Sequence, residues 1–149
     1  MKFQESIRYN QDILRNDVLK KLKLDLPKIL PEVPLFVSFP GDDGRFIKYA
    51  VDTGAKGIAI AGVGAGIVNP EVLKSIEYAL SKNVPVIIGS RVYEGGVYPL
   101  YGSEGGGSSL IDAGAFLAGD LSIYKARILL MIALGQKDMS KEKLVKLFE

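Results

Sequence analysis

The residues able to do chemistry in this chain are few, and the absences narrow the field first. Histidine and cysteine are both missing from the 149 residues. That removes the usual general base, the commonest metal ligand, thiolate nucleophiles and disulfides. Neither a Ser-His-Asp triad nor a histidine-ligated zinc site can be built from it. Ser90, Ser103, Ser108 and Ser109 have no histidine to activate them, and the single threonine, Thr53, falls at a predicted helix end. Lys125 follows a predicted strand and could act as a base, but no Ser-x-x-Lys motif occurs. Lys125 and Arg127 read better as the solvated or interface side of an otherwise apolar helix. Asp42-Asp43 reads as turn chemistry, and Glu94 and Glu104 stand apart in a long glycine-rich stretch. No catalytic residue, metal set or organic cofactor is assigned from these residues.

What remains is a backbone motif. Lys56 to Pro70, Lys-Gly-Ile-Ala-Ile-Ala-Gly-Val-Gly-Ala-Gly-Ile-Val-Asn-Pro, reads as a buried strand, a glycine loop and a helix start. Gly62, Gly64 and Gly66 permit positive φ and close backbone approach. Asn69 is the expected N-cap and Pro70 suits the first helical position. Gly62-Val63-Gly64-Ala65-Gly66 resembles the start of a dinucleotide fingerprint, with Ser90-Arg91 as an NADP-type phosphate contact. Ile67 stands where that fingerprint needs its third glycine, and the acidic ribose partner is missing. An NADP-binding half-domain is therefore the weakest of the readings considered.

The elements that must position this loop follow from local patterning. Pro34–Phe39 is the first expected strand, Arg45–Thr53 a short helix closed by Gly54, and Lys56–Ala61 the central strand. Helix Pro70–Ser81 and strand Val84–Gly89 come next; the latter is apolar throughout, as for a strand covered on both faces. Ser90–Ser109 shows no periodicity and reads as a long loop, with a helical turn at Leu110–Gly114. A short strand at Ala115–Ala118 leads to an apolar helix, Ile123–Leu134, capped by Asp120 or Ser122 and ended by Gly135. Ser140 caps a last helix running to about Phe148. Strands alternating with helices imply an α/β fold: a small parallel sheet of about four strands with helices on both faces. All the chemistry-bearing loops then gather at the carboxyl ends of the strands, where such sheets bind ligands.

With 48% hydrophobic residues, the chain can build one compact core. Residues 1–33 are expected to be a lead-in or linker, in which Asp12–Leu24 has near-helical apolar spacing, and 34–149 the domain. The 19 basic and 17 acidic residues nearly balance, which argues against nucleic acid or anionic membrane as a partner. The start lacks the apolar stretch of a signal peptide, and the longest apolar run, Ile128–Leu134, is too short to span a bilayer. A soluble, cytoplasmic protein is expected.

Three blocks, in order and spacing, resemble the C-terminal domain of L-asparaginases. They are Asp52–Gly66, Pro85–Val92, and Ala113–Leu121 continuing into Lys125-Ala126-Arg127-Ile128-Leu129-Leu130. The likeness runs from about Leu26 to Phe148 and is closer to the bacterial type II pattern in Ala-Gly-Val-Gly and Ser-Arg-Val. The resemblance implies a larger N-terminal domain carrying the nucleophilic threonine, which this chain lacks. It implies hydrolysis of L-asparagine to L-aspartate and ammonia without a cofactor, by a homo-oligomer in which this domain completes the active site of its neighbour. On that pattern Gly64, Gly66 and Glu104 are the substrate-binding candidates. Ile67 replaces the family's asparagine, and Asn69, two residues on, is better explained as a helix cap. A stand-alone binding or assembly module derived from this domain is the alternative.

Overall fold

The computed structural model describes residues 24–148. Its sheet is built on two strands that are apolar on both sides. In β2 (Ile58–Gly62) every residue is buried, and in β3 (Val86–Ser90) all but the last. They pair in parallel, with Ile58 opposite Val86 and Gly62 opposite Ser90. Shorter strands flank them: β1 (Leu35–Val37) beside β2, and β4 (Phe116–Leu117) beside β3. The sheet therefore runs β1-β2-β3-β4 in chain order, all parallel.

That order dictates where the helices go. Consecutive parallel strands joined by crossovers of one hand place every connecting helix on one face. Helices α1 (Arg45–Asp52), α2 (Pro70–Ser81) and α3 (Gly107–Ala113) are those connections. Ile47, Val72, Ile76 and Leu110 from them pack on Ile58, Ile60, Val86 and Ile88. The other face is covered by α4 (Ile123–Leu134) and α5 (Lys141–Phe148), which follow β4, with Val33 from the segment before β1. On that face β2 presents Ala59 and Ala61, and β3 presents Ile87 and Gly89. A Cβ on Gly89 would lie 2.7 Å from the Ile123 Cβ, so these small residues let α4 lie directly on the strands. The four-stranded α/β sheet with helices on both faces is as expected.

The described part of the lead-in packs on this body. Val33 is fully buried, and Arg127 Nε donates to its carbonyl at 2.5 Å. Asp25 and Gln136 exchange two hydrogen bonds, of 3.1 and 2.7 Å. The apolar spacing over Asp12–Leu24 lies, apart from Leu24, outside the described residues. Several boundaries differ from expectation: β1 is Leu35–Val37 within Pro34–Phe39, β3 is Val86–Ser90 and not Val84–Gly89, β4 is Phe116–Leu117 within Ala115–Ala118, and α1 ends at Asp52. The central strand begins at Ile58, because Lys56 N–H is taken by the Glu32 carbonyl ahead of the ladder. Helix α3 starts three residues early, at Gly107, where the Tyr98 carbonyl leaves no room for a Cβ. Among the described residues no helix is long and apolar enough to cross a membrane.

Candidate functional site

The carboxyl edge of the sheet gathers the glycine loop (residues 62–69), the long loop (91–106) and the turn after β4 (118–122). The glycine loop folds back on itself: Val63 N–H donates to Ile67 O at 2.8 Å, and Ile67 N–H returns to Val63 O at 2.9 Å. Gly62 is needed for space, since a Cβ there would lie 2.5 Å from the Gly66 carbonyl. Gly66, at φ 88°, has the Val97 side chain packed where its own Cβ would be. Gly64, at φ 53°, is exposed with open space beside it. Of the candidate contacts in this loop, then, Gly64 faces outward and Gly66 is covered.

The long loop is docked rather than free. Val97 is 2% exposed, sits over Gly66, and its N–H donates to Gly119 O at 3.0 Å. Tyr98 OH donates to the Asp120 carboxylate, and Gly105 O accepts from Val68 N–H at 3.0 Å. The Gly105-Gly106-Gly107 run admits close backbone contacts with Val68, Tyr101 and Tyr98. Glu104 is exposed on this loop, on the side of α2. The Lys74 ammonium is raised above its ordinary value chiefly by its hydrogen bond and ion pair with Glu71, and Glu104 adds to that field.

Ser90 and Arg91 bind this edge together. Ser90 Oγ donates to Gly64 O at 2.5 Å and accepts from Val92 N–H at 3.0 Å. Arg91 N–H donates to Gly62 O at 3.0 Å, and its Nη1 reaches the Ser38 carbonyl at 3.3 Å. The hydroxyl considered as a phosphate contact is thus committed to the glycine loop. Sequence reasoning missed this role; the signal lay in the strand register, which places Ser90 opposite Gly62. Asn69 is also fully used, accepting from Val72 N–H at 2.9 Å and donating to Asp42 O at 2.7 Å.

The opposite, amino edge holds the only threonine. Thr53 Oγ1 caps α1 by donating to Tyr49 O at 2.9 Å and to Ala50 O at 3.2 Å. It lies across the sheet from the glycine loop; at the carboxyl edge the Ser90 hydroxyl is bound to Gly64 O and the Tyr98 hydroxyl to the Asp120 carboxylate. Among the described residues no cluster of three or more acidic side chains is placed to hold a metal ion.

The family described as Glutaminase/Asparaginase C-terminal domain matches residues 32–148, nearly the whole described chain. The chain belongs to that family. The L-asparaginase of Bacillus licheniformis is 35% identical over 134 residues, covering 89% of this chain and 40% of that protein. A glutamyl-tRNA(Gln) amidotransferase component from Methanococcus maripaludis is 30% identical over 142 residues, 95% of this chain and 34% of that one. The crystal structure of a probable cytoplasmic L-asparaginase from Campylobacter jejuni superposes with a TM-score of 0.69 at 33% identity, covering 80% of this chain and 35% of that one. The chain thus spans well under half the length of the relatives it matches. In asparaginase-type proteins this domain pairs with an N-terminal catalytic domain. The glycine loop, Ser90-Arg91 and the turn at Gly119–Ser122 all lie within the matched span.

Proposed function

We propose that this chain acts as the C-terminal domain of an L-asparaginase-type amidohydrolase, completing and dimerising an enzyme that converts L-asparagine to L-aspartate and ammonia. One observation carries the reading: the chain matches the asparaginase C-terminal family over residues 32–148, while its single threonine only caps α1 at the opposite edge of the sheet. The nucleophilic threonine then comes from the catalytic domain. Gly64, with its open carboxyl-edge position, offers main-chain atoms to a substrate bound in a neighbouring copy. Gly66 acts beneath it by fixing the turn, and Glu104 is the one carboxylate of the long loop's tip able to reach toward a substrate amine. No cofactor is required. The exposed rim of Tyr93, Leu100 and Tyr101 supports self-association at this edge.

A second reading keeps the amide chemistry and changes the substrate to glutamine, as the likeness to the glutamyl-tRNA(Gln) amidotransferase component suggests. Both are tested by joining this chain to the N-terminal portion of the Bacillus licheniformis L-asparaginase and measuring ammonia release from each amide. Asparagine hydrolysis by the fusion and none by the chain alone is expected. Ammonia released by the chain alone, or a folded fusion inactive on both amides, overturns the proposal; a preference for glutamine moves it to the second reading.

A further inference from the structure

Asp43-Gly44 lies in the turn between β1 and α1, at the carboxyl edge. An aspartyl-glycine pair is open to backbone isomerisation, because glycine leaves its amide nitrogen unhindered. The Gly44 nitrogen attacks Cγ of Asp43 in its carboxylic-acid form. The N–Cγ bond forms, the Cγ–OH bond breaks, and the hydroxyl leaves as water with the amide proton, closing a succinimide. Water then adds to either imide carbonyl. One product is the original aspartate; the other is isoaspartate, whose main chain runs through Cβ and Cγ.

Both reacting groups are engaged in the structure, and by different partners. Gly44 N–H donates to Asp42 Oδ1 at 2.9 Å. The Asp43 carboxylate accepts from Arg45 Nε at 2.7 Å, from Arg45 Nη2 at 2.5 Å and from Arg45 backbone N–H at 3.1 Å. We propose that Asp43 is a latent isomerisation site which Asp42 and Arg45 hold closed, one by occupying the nucleophile and the other by tying down the carboxylate in hydrogen bonds. The hydrogen bonds from Arg45 also hold the carboxyl down at about 2, so the acid form that the reaction needs is scarce near neutral pH.

The glycine cannot simply be exchanged. Gly44 adopts φ 67°, and a Cβ there would meet the Ser75 side chain, with Cβ to Cβ at 2.6 Å. The turn therefore keeps a labile pair and restrains it. The stakes reach the candidate site, because Asp42 O accepts from the Asn69 side chain that caps α2 directly after the glycine loop. An isoaspartyl link would lengthen the main chain next to that contact.

The test is to incubate the full chain at neutral pH and quantify isoaspartate at position 43 by electron-transfer mass spectrometry, which separates it from aspartate of equal mass. Native wild type should isomerise more slowly than the same chain held in denaturant. R45A and D42A should each run about two- to fivefold faster than wild type while folded, the size expected for losing an exposed charged contact. R45K, which keeps the charge but loses the forked donor, should fall between R45A and wild type. Circular dichroism checks the fold; should R45A fail to fold, R45K against wild type carries the same comparison. Equal rates for native and denatured wild type, or for the folded variants and wild type, overturn the proposal.

Discussion

Along the carboxyl edge the turns meet backbone to backbone, Gly62 against Gly66, Gly105 against Val68 and Gly107 against Tyr98. Along the amino edge they meet through side chains, leaving a cavity of about 270 Å3 between Leu80, Val84, Phe116, Leu134 and Leu144. There Gly54 has open space, and the nearest atom to a Cβ on Gly114 is the far end of Lys141, 3.9 Å away. Main-chain contacts cannot relax as a flexible side chain can, so crowding costs more at the first edge than at the second. The placement of Gly64 is accordingly set by the scaffold beneath it.

The largest test of that contrast is G62A. Its methyl would lie 2.5 Å from Gly66 main-chain atoms, and about 3 kcal/mol of destabilisation is expected in urea unfolding. An unchanged midpoint would show that the carboxyl edge is as loose as the amino one. V97A removes two buried methyl groups from above Gly66 and should cost about 2 kcal/mol. It should also speed hydrogen exchange at Gly66, whose N–H donates to Val63 O within the loop. Exchange that quickens only across the core would separate packing from loop control. At the amino edge N83A is the smallest change. Asn83 holds φ 59° after α2, a conformation alanine tolerates less well, and about 1 kcal/mol is expected from the backbone alone. A loss as large as that of G62A would erase the contrast.

How much of this was legible in the sequence depends on the range of each signal. Helices α2 and α4 match expectation residue for residue, because Asn69-Pro70 and Ser122 with Gly135 mark their ends locally. The parallel sense of the sheet followed from the alternation of strands and helices, and the buried run of the central strand was visible, but the strand order β1-β2-β3-β4 was not, since alternation fits several orders. Helix α3 begins three residues before the expected turn because Ser90–Ser109 carries no periodicity from which a start could be read. The docking of Val97 on Gly66 and the bridge from Ser90 to Gly64 join residues 31 and 26 positions apart. No local pattern announces such pairs. The glycine loop itself was visible, but which glycine faces outward was not, since that depends on what the long loop covers.

The sheet's strand order also has a consequence in time. Each strand pairs with the next one in the chain, so each addition needs only a short loop closure, and the sheet can grow strand by strand from β1 as a polypeptide emerges during synthesis. The first face is covered as it grows, by the helices made between strands. The second carries only Val33 and its neighbours from ahead of the sheet until α4 and α5 have been made. Until then Ala59, Ala61 and Ile87, beside Val33, lack the cover that α4 and α5 give them, so this half of the core is completed last.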